Sequence, residues 1–128
     1  MSILEHDLTL LGSKGRRRLN ALFDSGASYS IIRRDVAEEL ELLTPIPDPE
    51  NYVFETARPG ELIPAHYRVT LELRFEESGA RFSDEFIVFD DCSERLIIGV
   101  ATMQKWSITL DFDREEILYR KTARRLRV

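Results

Sequence analysis

Between Tyr67 and Phe75 apolar and polar residues alternate without a break: Tyr67, Val69, Leu71, Leu73 and Phe75 against Arg68, Thr70, Glu72 and Arg74. A period of two puts every apolar side chain on one face of an extended chain, so the segment predicts a half-buried β-strand. Glu77-Ser78-Gly79 supplies a turn, and Phe82 to Phe89 returns as a second strand. The same reading extends in both directions. Leu8 to Leu11 is a short apolar run, Gly12-Ser13-Lys14-Gly15 is turn-forming, and Arg16 to Phe23 resumes as a strand, which predicts an N-terminal hairpin. Ser28 to Ile32 is β-like. Tyr52 to Thr56 and the residues from Leu62 onward flank Ala57-Arg58-Pro59-Gly60, a second hairpin with a Pro-Gly turn. Leu96-Ile97-Ile98-Gly99 reads as a short buried strand closed by glycine. Ile108, Leu110 and Phe112 alternate again, and Ile117-Leu118-Tyr119 follows another turn.

Helical spacing interrupts this pattern twice. Ile32, Val36 and Leu40 lie four apart, and Asp35-Val36-Ala37-Glu38 has the form of a capping box with Asp35 at its head. Val100, Met103 and Trp106 are also helically spaced, with Trp106 read as a core residue. Pro45, Pro47 and Pro49 make a loop between the two halves. The pattern predicts a mostly β protein with two short helices.

Composition narrows the function classes. A chain of 128 residues fits one domain, and 43% hydrophobic with 32% charged residues is an ordinary globular balance. No apolar run approaches the length of a membrane span, so no membrane association is expected. MSILEHDLTLLG carries acids early and lacks a basic leader region, which argues against a secretory signal. Cys92 is the sole cysteine, so a cytoplasmic location is the default. A net charge of −5 speaks against nucleic acid as a partner of the whole chain. The last nine residues, RKTARRLRV, hold five basic residues and read as a solvated tail, with an acidic partner or a nucleic acid as the other reading; Lys14-Gly15-Arg16-Arg17-Arg18 reads as a turn and an exposed strand start. The domain is placed at residues 1–118 and the basic tail at 119–128.

Candidate chemistry centres on Leu22-Phe23-Asp24-Ser25-Gly26-Ala27-Ser28. A carboxylate ends an apolar strand, and a hydroxyl residue and a glycine follow. As a turn this needs no function, and an Asp-[Ser/Thr]-Gly triplet arises by chance in roughly one chain in twenty of this length. The β-rich surroundings and the order of elements add weight: strand, Asp24-Ser25-Gly26-Ala27, hairpins, Ile97-Ile98-Gly99, helix, strand. His6, His66 and Cys92 have no metal-ligand spacing, Asp90-Asp91-Cys92 reads as a loop, and no glycine-rich phosphate loop follows a strand, so neither a metal nor another cofactor is expected.

In this order of motifs the chain resembles the retropepsin-like aspartic proteases, from about Leu8 to Tyr119. The family's catalytic Asp-[Thr/Ser]-Gly-[Ala/Ser] corresponds to Asp24-Ser25-Gly26-Ala27, and its two-hydrophobics-then-glycine motif corresponds to Ile97-Ile98-Gly99. The resemblance implies a closed β-barrel-like single lobe acting as a homodimer. It assigns Asp24, Ser25 and Gly26 to catalysis and Ala27, Ile97, Ile98 and Gly99 to support of the active-site loop. It places a flap over substrate near Phe54 to Ile63, with Thr56, Ala57, Arg58, Pro59 and Gly60 at its turn. Retroviral flaps are glycine-rich where this one offers Arg58-Pro59-Gly60, and the Asp35–Leu40 helix and the proline loop exceed the compact retroviral pattern.

Hydrolysis by this class uses two facing carboxylates that share one proton. The ionised one activates water, and the protonated one donates to the scissile carbonyl. Glycine at position 26 lets backbone N–H groups approach the carboxylate, and the Ser25 hydroxyl is implied to tie two active-site loops together. The chain holds one such motif, so the second carboxylate is expected from Asp24 of another copy. Ile108–Phe112, with the N-terminal strand or Ile117–Tyr119, is implied to build the interface. Ala27 lacks the hydroxyl that a serine would offer there, which predicts activity at mildly acidic pH. The expected function is aspartic endopeptidase action on a peptide or protein substrate. The alternative is a catalytically silent dimerisation or peptide-binding module.

Overall fold

The computed structural model describes residues 2–51, 53–55, 60 and 62–120. In the N-terminal hairpin, β1 (Ile3–Gly12) and β2 (Gly15–Asp24) pair antiparallel from Gly12↔Gly15 to Ile3↔Asp24. Both strands run further than the apolar stretches alone indicate. Ladder hydrogen bonds continue through polar residues on the solvent face, where hydropathy gives no signal. β3 (Ile31–Arg33) leads directly into α1 (Arg34–Leu40). A two-residue strand, β4 (Thr44–Pro45), and a 3₁₀ turn at Pro49–Asn51 occupy the proline loop. β5 (Val53–Glu55) pairs with β6 (Leu62–Pro64). Then come β7 (Tyr67–Arg74), β8 (Arg81–Phe89), β9 (Leu96–Ile98), α2 (Val100–Lys105), β10 (Thr109–Asp111) and β11 (Glu116–Leu118).

Six strands close into a barrel in the order β1-β2-β9-β3-β8-β7, and the ring shuts where Thr9, Leu10 and Leu11 of β1 meet Arg74, Leu73 and Glu72 of β7. Closure satisfies the outer ladders that an open sheet would leave unpaired. The inward faces deliver Leu8, Leu10, Phe23, Ile32, Leu71, Leu73, Phe75, Phe86, Leu96 and Ile98 to one core. The Tyr67–Phe75 alternation is realised strictly, with Val69, Leu71, Leu73 and Phe75 buried. α1 lays Val36, Ala37 and Leu40 onto the barrel. A smaller cluster of Ile46, Ala65, Ile87 and Phe89 lies apart from the main core and receives Phe54 and Ile63 of the β5–β6 hairpin. Among the described residues no helix is long and apolar enough to cross a membrane.

Two expectations change. Asp35 does not cap α1: Arg33 occupies the cap position, no side chain makes a capping bond, and Asp35 lies inside the first turn. Its carboxylate instead takes both arms of the Arg33 guanidinium, at 2.7 and 3.0 Å. A bidentate charged pair is stronger than a single bond to a backbone N–H. Arg33 holds the Asp35 carboxyl below the usual carboxylate range. Tyr119, assigned from sequence to the start of the tail, belongs to the packed body: its ring stacks on Phe75 at 4.2 Å between centroids, and its hydroxyl bonds to Ser78 at 2.8 Å. Residues 121–128 of the basic tail lie outside the described residues.

Candidate active site

Asp24 is the last residue of β2, and the topology explains what surrounds it. β2 and β3 flank the loop 25–30 but are not neighbours in the sheet. β9 lies between them, parallel to β2 through Leu22↔Ile97 and Phe23↔Ile98, and antiparallel to β3 through Ile31↔Ile97 and Ile32↔Leu96. The loop must therefore cross the carboxyl end of β9, where Gly99 sits. A Cβ at position 99 would lie 2.4 Å from the Tyr29 carbonyl oxygen and 2.9 Å from that of Ala27. Only glycine admits this crossing. Ile98 and Phe23 are fully buried beneath it.

Hydrogen bonds complete the junction. The first N–H groups of a helix have no partner within it. At α2 the loop supplies them: Val100 N–H donates to the Ala27 carbonyl at 2.8 Å, and Ala101 N–H to that of Ser28 at 3.0 Å. Gly99 N–H donates to the Ser30 hydroxyl at 3.0 Å, and this buried hydroxyl also bonds Thr102 Oγ1 at 2.5 Å. At the other end of the loop, Gly26 N–H donates to Asp24 Oδ1 at 2.8 Å. A Cβ at position 26 would crowd that same oxygen at 3.2 Å. Ala27 N–H donates to the Asp24 carbonyl at 3.1 Å. The Asp24 side chain is thus oriented by its own loop and remains half-buried at the surface.

The two motifs singled out in the sequence, Asp24–Ala27 and Ile97–Gly99, meet at this junction. Within the protomer the Ser25 hydroxyl donates to the Ser2 carbonyl at 3.2 Å, and Ser25 N–H donates to the same oxygen at 2.8 Å. This anchors the loop to the start of β1; a link between two loops belongs to the dimer proposed below. Of the expected flap residues, Thr56, Ala57, Arg58 and Pro59 lie outside the described residues. Gly60 is exposed, and its N–H reaches Glu55 Oε1 at 3.4 Å. Trp106 stacks obliquely on Phe82 and donates to the Ser83 carbonyl, a packing role away from Asp24.

Sequence reasoning missed Ser30, Thr102 and Tyr29. Ser30 sits in a β-like run with nothing local to mark it, and its partner Thr102 is 72 residues away. Its place next to Ile31 and Ile32 is the sole hint the sequence holds; its burial, at 2% exposure, is a product of the fold. Two shallow depressions adjoin the loop. One, of about 280 Å³, is lined by residues 25–29 with Val100, Ala101 and Gln104. The other, of about 330 Å³, shares Ser25, Val100 and Gln104 and continues past Met103 and Ile108 to Leu110 and Phe112.

A small closed barrel, an Asp-Ser-Gly loop at the end of its second strand, and a hydrophobic-hydrophobic-glycine strand locking that loop onto a short helix define the retropepsin-like fold of aspartic proteases. Comparison with known proteins agrees. The aspartyl protease family model matches residues 9–102, and the chain belongs to that family. Among solved structures the chain is similar to the retroviral protease-like domain of Ddi1 from Leishmania major, with a TM-score of 0.60 and 17% identity over 94% of this chain and 87% of that one. At that identity the likeness speaks for the fold. No curated protein sequence matches the chain.

Proposed function

We propose that the protein is a homodimeric aspartic endopeptidase in which Asp24 of each protomer supplies one carboxylate of the catalytic pair. The observation that carries this reading is the arrangement of Asp24: its oxygen takes Gly26 N–H at 2.8 Å, at the surface end of a barrel strand, on a loop locked to α2. The Gly26 bond alone is one that any Asx turn makes; its combination with a loop locked onto α2 across Gly99, in a chain of the aspartyl protease family, supports the catalytic reading. One barrel with one such loop leaves the pair incomplete, so a second copy related by a two-fold axis supplies the other half. The two carboxylates share a proton. One takes a proton from water as that water attacks the peptide carbonyl, while the other gives its proton to the carbonyl oxygen; the first then passes its proton to the leaving nitrogen as the C–N bond breaks, and the other recovers a proton from the hydroxyl of the tetrahedral intermediate. Ser25 and Gly26 hold the carboxylate in place, and Ala27, Ile97, Ile98 and Gly99 hold the loop. This chemistry calls for no metal or cofactor. The substrate is an extended peptide or protein segment bound between the loop and the β5–β6 hairpin, and the protein works in the cytoplasm.

The test is cleavage of a peptide library near pH 5, with and without a hydroxyl-bearing transition-state mimic, alongside the solution mass. Mimic-sensitive cleavage by a species of twice the chain mass is expected. Peptide binding without cleavage by any assembly would instead make the chain a silent peptide-binding module.

A further inference from the structure

We propose that Tyr29 is a positioning residue, whose ring seats the β5–β6 hairpin against the catalytic loop and forms a side wall of the groove beside Asp24. Its expected effect on cleavage rests on the protease reading above; the seat itself is tested independently.

The backbone around Tyr29 is fixed without any help from its side chain. The Ala27 and Ser28 carbonyls and the Ser30 hydroxyl are bound to the start of α2, and the Tyr29 carbonyl lies against Gly99. Tyr29 is nonetheless 53% exposed, and it is the only aromatic among the exposed large hydrophobics of the described residues. An aromatic held out on a fixed loop forgoes burial that a smaller or polar residue would not miss. It borders the depression of about 280 Å³ along the loop. The edge of one ring also meets the face of another here: Tyr29 and Phe54 lie 5.8 Å apart at 87°, and Phe54 and Phe89 lie 5.6 Å apart at 88°. A row of three rings therefore runs from the catalytic loop, through the hairpin, to β8.

The hairpin gives this row its importance. β5 and β6 are three residues each and, among the described residues, pair only with one another. A two-stranded ribbon that short has little stability of its own. Its position over the barrel is set by what Phe54 and Ile63, its inward pair, rest upon. Phe89 supports Phe54 from the barrel side and Tyr29 supports it from the catalytic side. Tyr29 thereby couples the spacing of the hairpin strands to the loop that carries Asp24.

The test compares wild type with Tyr29→Ala, Tyr29→Phe and Phe54→Ala, reading amide exchange at Val53, Phe54, Glu55, Leu62 and Ile63 together with KM and kcat. In Tyr29→Ala those amides should exchange roughly two- to tenfold faster, the range one aromatic pair accounts for, while β7 and β8 amides keep their protection. KM should rise by a similar factor with a smaller fall in kcat. Tyr29→Phe, which keeps the ring, should restore both. Phe54→Ala should speed the same amides, and adding Tyr29→Ala to it should speed them no further. Unchanged hairpin exchange in Tyr29→Ala, no rescue by phenylalanine, or an additive double variant would overturn the proposal. A wild type that cleaves no peptide while hairpin exchange responds as described overturns the protease reading and supports the seat.

Discussion

The two walls of the proposed groove are held by different physics. On the Asp24 side, residues 24–30 are bound by directional hydrogen bonds from Gly26, Ala27, Gly99, Val100 and Ala101, and by the buried Ser30–Thr102 pair. On the other side, the β5–β6 hairpin rests on the side cluster around Ile46, Ala65, Ile87 and Phe89 through Phe54 and Ile63. Hydrogen bonds have narrow distance and angle optima, whereas apolar contact is non-directional and tolerates sliding. In the proposed dimer, a carboxylate that meets a partner's carboxylate and a water within tenths of an ångström needs the first kind of support. A wall that admits different side chains can be held by the second. The contrast yields an order of sensitivity.

Asp24→Asn tests the rigid side at its tip and should produce the largest change. It keeps the size and loses the ionisable group in both protomers, so cleavage should fall by about a hundred- to ten-thousand-fold, the usual contribution of general acid–base catalysis. Circular dichroism and solution mass should match wild type. Undiminished cleavage by Asp24→Asn would remove Asp24 from the mechanism.

Gly99→Ala attacks the crossing. The added methyl would fall 2.4 Å from a backbone oxygen that three neighbouring bonds hold still. The loss should be about 1–3 kcal/mol or more, read from urea unfolding, as expected for overpacking at a rigid site. Cleavage should fall with it because the loop moves. Ser30→Ala is gentler. It leaves Gly99 N–H and Thr102 Oγ1 without their buried partner, which should cost about 1–3 kcal/mol. Combining it with Thr102→Val should cost less than the sum of the two changes, since the second removes one of the stranded groups.

Ile63→Ala probes the opposite wall. Ile63 is half-buried, so its removal should cost less than the ~2–5 kcal/mol of a fully buried isoleucine. The change should show in substrate affinity and leave Asp24-dependent turnover nearly intact. A loss of turnover equal to that of Gly99→Ala would erase the distinction between the walls.

Acid should have the smallest effect over the working range. Arg33 holds the Asp35 carboxyl low. Burial alone would raise the Glu77 carboxyl, but a backbone hydrogen bond and those from His6 and Tyr119 outweigh it and leave Glu77 lowered. A carboxyl whose folded value lies below its unfolded value stabilises the fold above the unfolded value, and that contribution is lost as pH falls through the folded one. The melting temperature should therefore change little on this account between pH 7 and about pH 5, and should decline below about pH 4. Asp35→Asn should shrink that decline, and an unchanged acid limb in the variant would count against the Arg33 pair as its source.

Period-two alternation identified Tyr67–Phe75 as a strand because burying one face of a pleated chain dictates side-chain polarity residue by residue, and the Glu77-Ser78-Gly79 turn identified Phe82–Phe89 as its return. The Asp24-Ser25-Gly26-Ala27 and Ile97-Ile98-Gly99 motifs were legible for a similar reason: a carboxylate ending an apolar strand and a glycine closing one are local features. What periodicity reports is a face, and it does not name the partner behind it. That β9 lies between β2 and β3, that β1 closes the barrel on β7, and that Gly99 therefore lies under the Tyr29 carbonyl were decided by tertiary pairing between segments up to about seventy residues apart. The same holds for Asp35, where a local capping pattern yielded to a charged pair with Arg33. It holds for Ser30 and Thr102, two ordinary hydroxyl residues until folding buries them together. Tyr119 belongs to the body because the Phe75 ring lies within stacking distance of it. Hydrophobic pattern is written along the chain, whereas hydrogen-bond partners and ring contacts exist only once the chain has returned on itself, and they hold the loop that carries Asp24.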